Sequence, residues 1–280
     1  MANQNFDILI IGGGVMGSSI AYNLVNDGFK GRIAVLEKDP TYERSSTTLS
    51  AGGIRRQFST EVNVRMSQYS LSIFQKFGEL MEVKGERPEI ELKPLGYLFL
   101  GNEKNWPLLV KHQHFQKSLG VDTQLLDMKA TFQIIPDLNP EGLVGSSYSP
   151  GDGYMDPYSV LQGYAKKARN LGVQYLSKEV IWPDIAFRIP LFDELKLIRG
   201  WAGLYEVNQW DNNAILGQHP ELHGFFMAVG FSGHGFQQAP AVGKALSELI
   251  RLGRYETVDV SSLGFKRILQ GEKVLEEEVV

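Results

Sequence analysis

Apolar residues along this chain change period several times, and each change marks an element. Ile8 to Ile11 is a short unbroken apolar run, suited to a parallel strand buried on both faces. Met16, Ile20 and Leu24 then recur at every fourth position, with Ala21 and Val25 beside them, which predicts an amphipathic helix. Arg32 to Leu36 reads as the next strand. Val62 to Leu80 carries Met66, Tyr69, Ile73, Phe77 and Leu80 at helical spacing. Leu92 to Leu100 is strand-like, Lys104 to Leu119 helical, and Leu143 to Tyr148 a short strand. Asp156-Pro157 supplies a cap and a first-turn proline for a helix running to Leu171, and Val173 to Val180 is a strand. Trp182 to Ile189 is a short helical stretch between Pro183 and Pro190, and Leu195 to Val207 is a strand with Trp201 and Tyr205. Asp211 to Leu216 leads into the apolar strand Phe225 to Val229. A last helix carries Val242, Ala245, Leu246, Leu249 and Ile250 on one face. Strands alternating with helices predict an α/β fold.

Polar positions between these elements bring in chemistry. Gly12, Gly14 and Gly17 join the first strand to the first helix in the order G-x-G-x-x-G. One glycine allows the tight turn, one lets backbone approach a pyrophosphate, and one lets helix pack on strand. The helix start offers free N–H groups and a partial positive charge to an anion. Glu37 closes the second strand 20 residues past Gly17, where a carboxylate accepts hydrogen bonds from a ribose diol. Strand, turn, helix and spaced acid together predict a dinucleotide site.

Composition narrows the classes. The chain has 280 residues, 43% hydrophobic, enough for a core in one large or two modest domains. A net charge of −4 disfavours nucleic acid. The absence of cysteine excludes disulfides, thiolate metal sites and a cysteinyl flavin link. No apolar run reaches membrane-spanning length. The cofactor strand begins close to Met1, leaving no room for a targeting segment, so a cytoplasmic location is expected. His112 and His114 point in different directions on their helix and are expected at the surface rather than on a metal. Glu276-Glu277-Glu278-Val279-Val280 reads as a solvated end.

The strand Phe225 to Val229 runs into Gly230-Phe231-Ser232-Gly233-His234-Gly235 and then a helix, so the chain holds two glycine-opened helices, one near each end. A nicotinamide dinucleotide needs one such terminus. A flavin uses a second, because reduced flavin carries negative charge near N1 and O2.

IIGGGVMGSSIAYNL, SSTTLSAGGIRRQFS, GDGYMDPYSVLQG, RGWAGLYEV and AVGFSGHGFQQAPAVGKALSELI resemble the D-amino-acid-oxidase-like FAD-dependent oxidoreductases, the group with sarcosine oxidase, glycine oxidase and dimethylglycine dehydrogenase. WPDIAFRIPLFDELK and GFKRILQGEKV are similar to the subgroup linked to assembly of respiratory complex I. The resemblance implies an FAD-binding Rossmann-like βαβ domain (residues 1–84, 151–180 and 211–262) and an α+β substrate domain (85–150 and 181–210). It implies noncovalent FAD with its pyrophosphate on Gly12, Gly14, Val15, Met16 and Gly17, and the ribose at Glu37 with Lys38 alongside. Ser46, Thr47 and Ser50 reach phosphates or flavin, Val180 offers backbone to adenine, and Gly230, Phe231, Ser232, Gly233, His234, Gly235 and Phe236 line the isoalloxazine.

On the substrate side, Arg55 and Arg56 are candidates to pair a carboxylate, or are ordinary exposed or phosphate-paired arginines. His234 is a candidate base or tuner of flavin charge, or a hydrogen-bonded turn residue. The implied chemistry is oxidation of a small secondary amine or N-methyl amino acid. Assembly partners, a scaffolding role and a mitochondrial matrix location are the alternatives. Three departures bear on this. Tyr205-Glu206 stands where glycine oxidase has Arg-Pro, and Gln237 stands where sarcosine oxidase has lysine. The long stretch that relatives carry after the equivalent of Val180 is missing, so the substrate domain is truncated, a sheet edge is expected to be bare, and water is expected to reach the flavin.

Overall fold

A computed structural model of the protein describes residues 5–177 and 206–277. Its centre is a parallel sheet in the order β1-β2-β8, built from β1 (Ile8–Ile11), β2 (Ile33–Glu37) and β8 (Gln174–Ser177). Ile8 pairs with Ile33 and Ala34 with Gln174. Between β1 and β2 the chain crosses as α1 (Val15–Asn26), as its four-residue spacing predicts. Ile33, Ala34 and Val35 of β2 are buried. The expectation for β1 is corrected, because Leu9 and Ile11 are 54% and 56% exposed while Ile8 and Ile10 pack on the core. Among the described residues β1 has only β2 as a neighbour, and its core contacts lie on one face.

The predicted Val62–Leu80 helix is two, α2 (Glu61–Phe74) and α3 (Phe77–Leu80). The break comes where Lys76 N–H bonds Ile73 O, three residues back, tightening the last turn of α2. β3 (Gly53–Ile54) pairs antiparallel with β7 (Gly153–Tyr154). A second sheet, order β4-β6-β5, joins β4 (Tyr97–Asn102), β5 (Gln124–Leu126) and β6 (Leu143–Ser149) antiparallel. β4 starts later than predicted, after Pro94 and a positive-φ Gly96. α4 (Trp106–Ser118) matches its prediction, whereas β5 and the short α5 (Met128–Ile134) carry too little period to be read. α6 (Pro157–Asn170) is capped as expected, Asp156 accepting from Tyr158 and Ser159 N–H at 3.0 and 3.2 Å. The Val173–Val180 strand is described only to Ser177. The calls on Val180, Trp182–Ile189 and most of Leu195–Val207 lie outside the described residues.

Toward the C-terminus β9 (Ile215–Gln218) and β10 (Phe226–Val229) form an antiparallel pair, and α7 (Gly235–Leu252) follows. Helix α7 lies along α1. Ser19 Oγ donates to Ala239 O at 2.8 Å, and Ser247 Oγ to Asp27 Oδ2 at 2.9 Å. Both pairs are 220 residues apart, so the two helices run parallel and Val15 stands level with Gly235. Gly243 makes the close approach possible: a Cβ there would overlap Ser19 Oγ and sit 2.8 Å from Asn23 Nδ2.

The tail is not a solvated end as far as it is described. Glu276 N–H bonds Asp211 O at 3.0 Å, Asn213 Nδ2 donates to Val274 O at 2.6 Å, and Glu276 is fully buried. His112 is likewise corrected from surface to buried, because the tail crosses α4 and places Glu277 Oε2 3.0 Å from His112 Nε2. His114 is exposed.

Candidate functional site

The first turn is built for close approach to an anion. Gly12 has φ +93° and gives its N–H to Leu36 O at 2.9 Å. At Gly17 a Cβ would overlap the carbonyl oxygen of Gly12, so turn and helix touch as backbones. Among the described residues the N–H groups of Gly14, Met16 and Gly17 have no acceptor, while Val15 N–H is 3.2 Å from Thr47 Oγ1. Glu37, at the end of β2, accepts from Gly13 N–H at 2.8 Å through one oxygen and from Asp39 N–H at 2.9 Å through the other. Its carboxylate therefore stands at the lip of the turn, with exposed Lys38 next in the chain. Ser46 is exposed, and Ser50 Oγ accepts from Gly52 N–H at 3.1 Å within the same loop.

A second turn, Gly230 to His234, opens α7. Phe231, Ser232, His234 and Phe236 are buried and Gly233 is exposed. Ser232 Oγ accepts from Asn208 N–H at 3.0 Å, which ties the turn to the preceding segment. Among the described residues the N–H groups of Gly235, Phe236 and Gln237 have no acceptor. Because α1 and α7 are parallel, in contact and level at Val15 and Gly235, both helix starts face the same side. Packed axes lie about 8–10 Å apart, so one extended anionic ligand can meet both.

Beside the start of α7 lies a buried cation. Arg55 is 2% exposed, with its guanidinium carbon 4.2 Å from the Phe58 ring centre and 5.1 Å from that of Phe99. One of its nitrogens donates to Gln57 O, and Nη2 lies 3.2 Å from His234 Nε2. A guanidinium only donates, so Nε2 is the acceptor and the imidazole proton belongs on Nδ1. Burial, and then the neighbouring Arg55 charge, pull His234 down to about 4, with Glu276 opposing, so the ring is neutral at ordinary pH. Its Nε2 lone pair is occupied, which leaves it to position Arg55 rather than to take a proton. Arg55 N–H is held by Gln237 Oε1 at 2.7 Å. Arg56 turns elsewhere, Nε pairing with Asp152 Oδ1 at 2.6 Å, where the aspartate is 1% exposed.

The sequence pattern of the family described as FAD dependent oxidoreductase matches residues 7–182 and, overlapping, 177–249. The chain belongs to that family. FAD is its cofactor, and the two convergent helix starts, the open backbone at Gly12 and the acid at Glu37 fit that dinucleotide. This FAD dependent oxidoreductase is 26% identical over 425 residues to FAD-dependent oxidoreductase domain-containing protein 1 of Xenopus laevis, covering 99% of this chain and 85% of the relative. In fold it is similar to L-proline dehydrogenase from P. horikoshii (TM-score 0.80, 23% identity, 96% of this chain and 99% of that one). Glycine oxidase from Geobacillus kaustophilus gives 0.74, 18%, 94% and 98%. An alignment of 425 positions against a chain of 280 leaves about a third of them without a counterpart here. The family pattern restarts at residue 177 after running to 182, which puts the interior gap at the end of β8.

Within this oxidoreductase the structure gathers the first-turn glycines, Val15, Met16, Glu37 and Thr47 on one side with the residues of the second turn. It separates Arg55 from Arg56, although they are neighbours in sequence. Four contributors escaped the sequence reading: Asp152, Phe58, Phe99 and Glu276. The strand alternation of Tyr97 and Phe99 was the available signal for the aromatic wall. Nothing local marked the other three. Among the described residues there is no cluster of metal-ligating side chains, and no helix long and apolar enough to cross a membrane.

Proposed function

We propose that this flavoprotein oxidises the C–N bond of a small secondary amine or N-methyl amino acid. When bound, FAD supplies the acceptor for the hydride leaving the carbon next to nitrogen. The observation that carries the reading is the buried Arg55 guanidinium, walled by Phe58 and Phe99, beside the N-terminus of α7. A cation among aromatic rings suits a compact ligand with a carboxylate at one end and an apolar body. Gln237 and His234 fix where that charge stands, so binding a substrate costs little reorganisation of the site. The named relatives, a proline dehydrogenase and a glycine oxidase, are consistent with that class. Anaerobic mixing of the holoprotein with sarcosine, proline or dimethylglycine tests it. Bleaching of the flavin band by one of them is expected, and a band unchanged by every amine offered overturns the reading.

A second reading is a flavin-binding assembly scaffold with little turnover. It is favoured by the commitment of Arg56 to Asp152 and of the Gln237 carbonyl to Arg55 backbone, which leaves fewer groups to bind a substrate. A flavin that stays bound and oxidised in the same experiment supports it.

A further inference from the structure

The described end of the chain lies mostly exposed across the molecule, with Leu275 half exposed, and it turns one carboxylate into the interior. Glu276 has no exposed surface. Its Oε1 accepts from Ser59 N–H at 2.8 Å and Ser59 Oγ at 2.6 Å, and its Oε2 from Thr60 Oγ1 at 2.9 Å and Asn63 Nδ2 at 2.8 Å. Ser59 Oγ in turn accepts from Glu277 N–H at 2.8 Å, so its own proton is directed to Glu276. These donors form the start of α2 and the turn before it, where a carboxylate meets the unpaired N–H end of a helix.

The network continues into the flavin side. Asn63 Oδ1 accepts from Gln238 Nε2 at 2.9 Å, and Gln238 sits in the first turn of α7. Its neighbour Gln237 holds Arg55 N–H. Phe58, one residue before Ser59, is the ring against which both the Arg55 guanidinium and the His234 imidazole pack, at 4.2 and 4.9 Å. A buried positive charge at Arg55 and a buried carboxylate held by Ser59 and Thr60 thus stand at the two ends of one short segment, residues 55–60.

We infer that Glu276 is a positioning residue of the FAD site, a tail-borne carboxylate that sets the first turn of α7 and the Arg55–His234 pair and balances the buried guanidinium. The inference rests on the FAD site and needs no amine substrate, so its test is independent of turnover. The midpoint potential of the bound flavin is measured by dye-coupled reduction with no amine present, together with the visible circular dichroism of the flavin and the melting temperature. Glu276→Gln keeps the shape and loses the charge, whereas Glu276→Asp keeps the charge on a shorter arm. The Gln holoprotein is expected to retain FAD with a more positive potential, because a negative charge that opposes flavin reduction is gone. The Asp holoprotein is expected to return the potential toward that of the native protein, although it melts earlier. A role in folding alone would lower both melting temperatures and leave both potentials unchanged, and that result overturns the inference. If Glu276→Gln does not fold, Gln238→Met breaks the link to α7 with the tail in place. A changed flavin dichroism supports the inference there, and a native spectrum overturns it.

Discussion

At Gly17 and Gly14 the same turn makes different demands. A Cβ at Gly17 would overlap backbone at Gly12, and backbone cannot step aside as a side-chain tip can. Gly17→Ala is therefore expected to cost about 1–3 kcal/mol or more in denaturant unfolding of the apoprotein. At Gly14 a Cβ meets only Thr47 Oγ1, at 3.4 Å. Gly14→Val should leave apoprotein stability within about 1 kcal/mol and abolish FAD uptake, because its branches occupy the space the phosphates need. Retained flavin after gel filtration would contradict that placement. His234 offers a test by pH. Its folded value of about 4 lies below the ordinary 6.5, so between those values the unfolded chain holds the extra proton. Its contribution is fully present above pH 6.5 and is lost as pH falls toward 4, up to about 3 kcal/mol. Chemical denaturation at pH 7 and pH 5 should show a smaller decline in His234→Gln than in the native protein, and parallel declines would refute the assignment.

At the scale of elements, the parallel contact of α1 with α7 does what neither helix can do alone. Two helix starts are brought level by bonds 220 residues apart in sequence, and Gly243 sets the spacing. Gly243→Ala is expected to cost about 1–3 kcal/mol in thermal or denaturant unfolding and to weaken FAD binding as the axes separate. Unchanged FAD affinity in a destabilised protein would show that the spacing of the two starts is not limiting. These helices were legible because each has a glycine turn before it and a sustained apolar stripe. The Asp156-Pro157 cap made α6 equally plain. β5 and α5 were not, since elements of three and seven residues show too few turns of any period. The pairing of helices, the burial of His112 and the separate fates of Arg55 and Arg56 were not legible either. Each is decided by a partner far along the chain: Ala239 for Ser19, Glu277 for His112, and His234 and Asp152 for the two arginines.

Over the whole molecule, the central sheet presents the strand before the FAD turn at its edge among the described residues. Three parallel strands are described, and β1, the strand that delivers the chain to the FAD turn, has one described neighbour. Its apolar sequence suits a strand covered on both faces, yet Leu9 and Ile11 are more than half exposed. A bare apolar row beside a strand edge with no partner among the described residues binds hydrophobic dyes and invites association with other chains. Leu9→Lys places a charge on that face without entering the core. Its cost should stay within about 0.5 kcal/mol, as for other surface substitutions. Dye fluorescence and concentration-dependent light scattering should both fall, while FAD remains bound, since the cradle is made by backbone from Gly12 onward. A loss of several kcal/mol would instead mean that this face is covered in the folded protein and that the sheet is completed there. The exposure of one leucine thus decides whether the shortened chain carries an open sheet or a closed one.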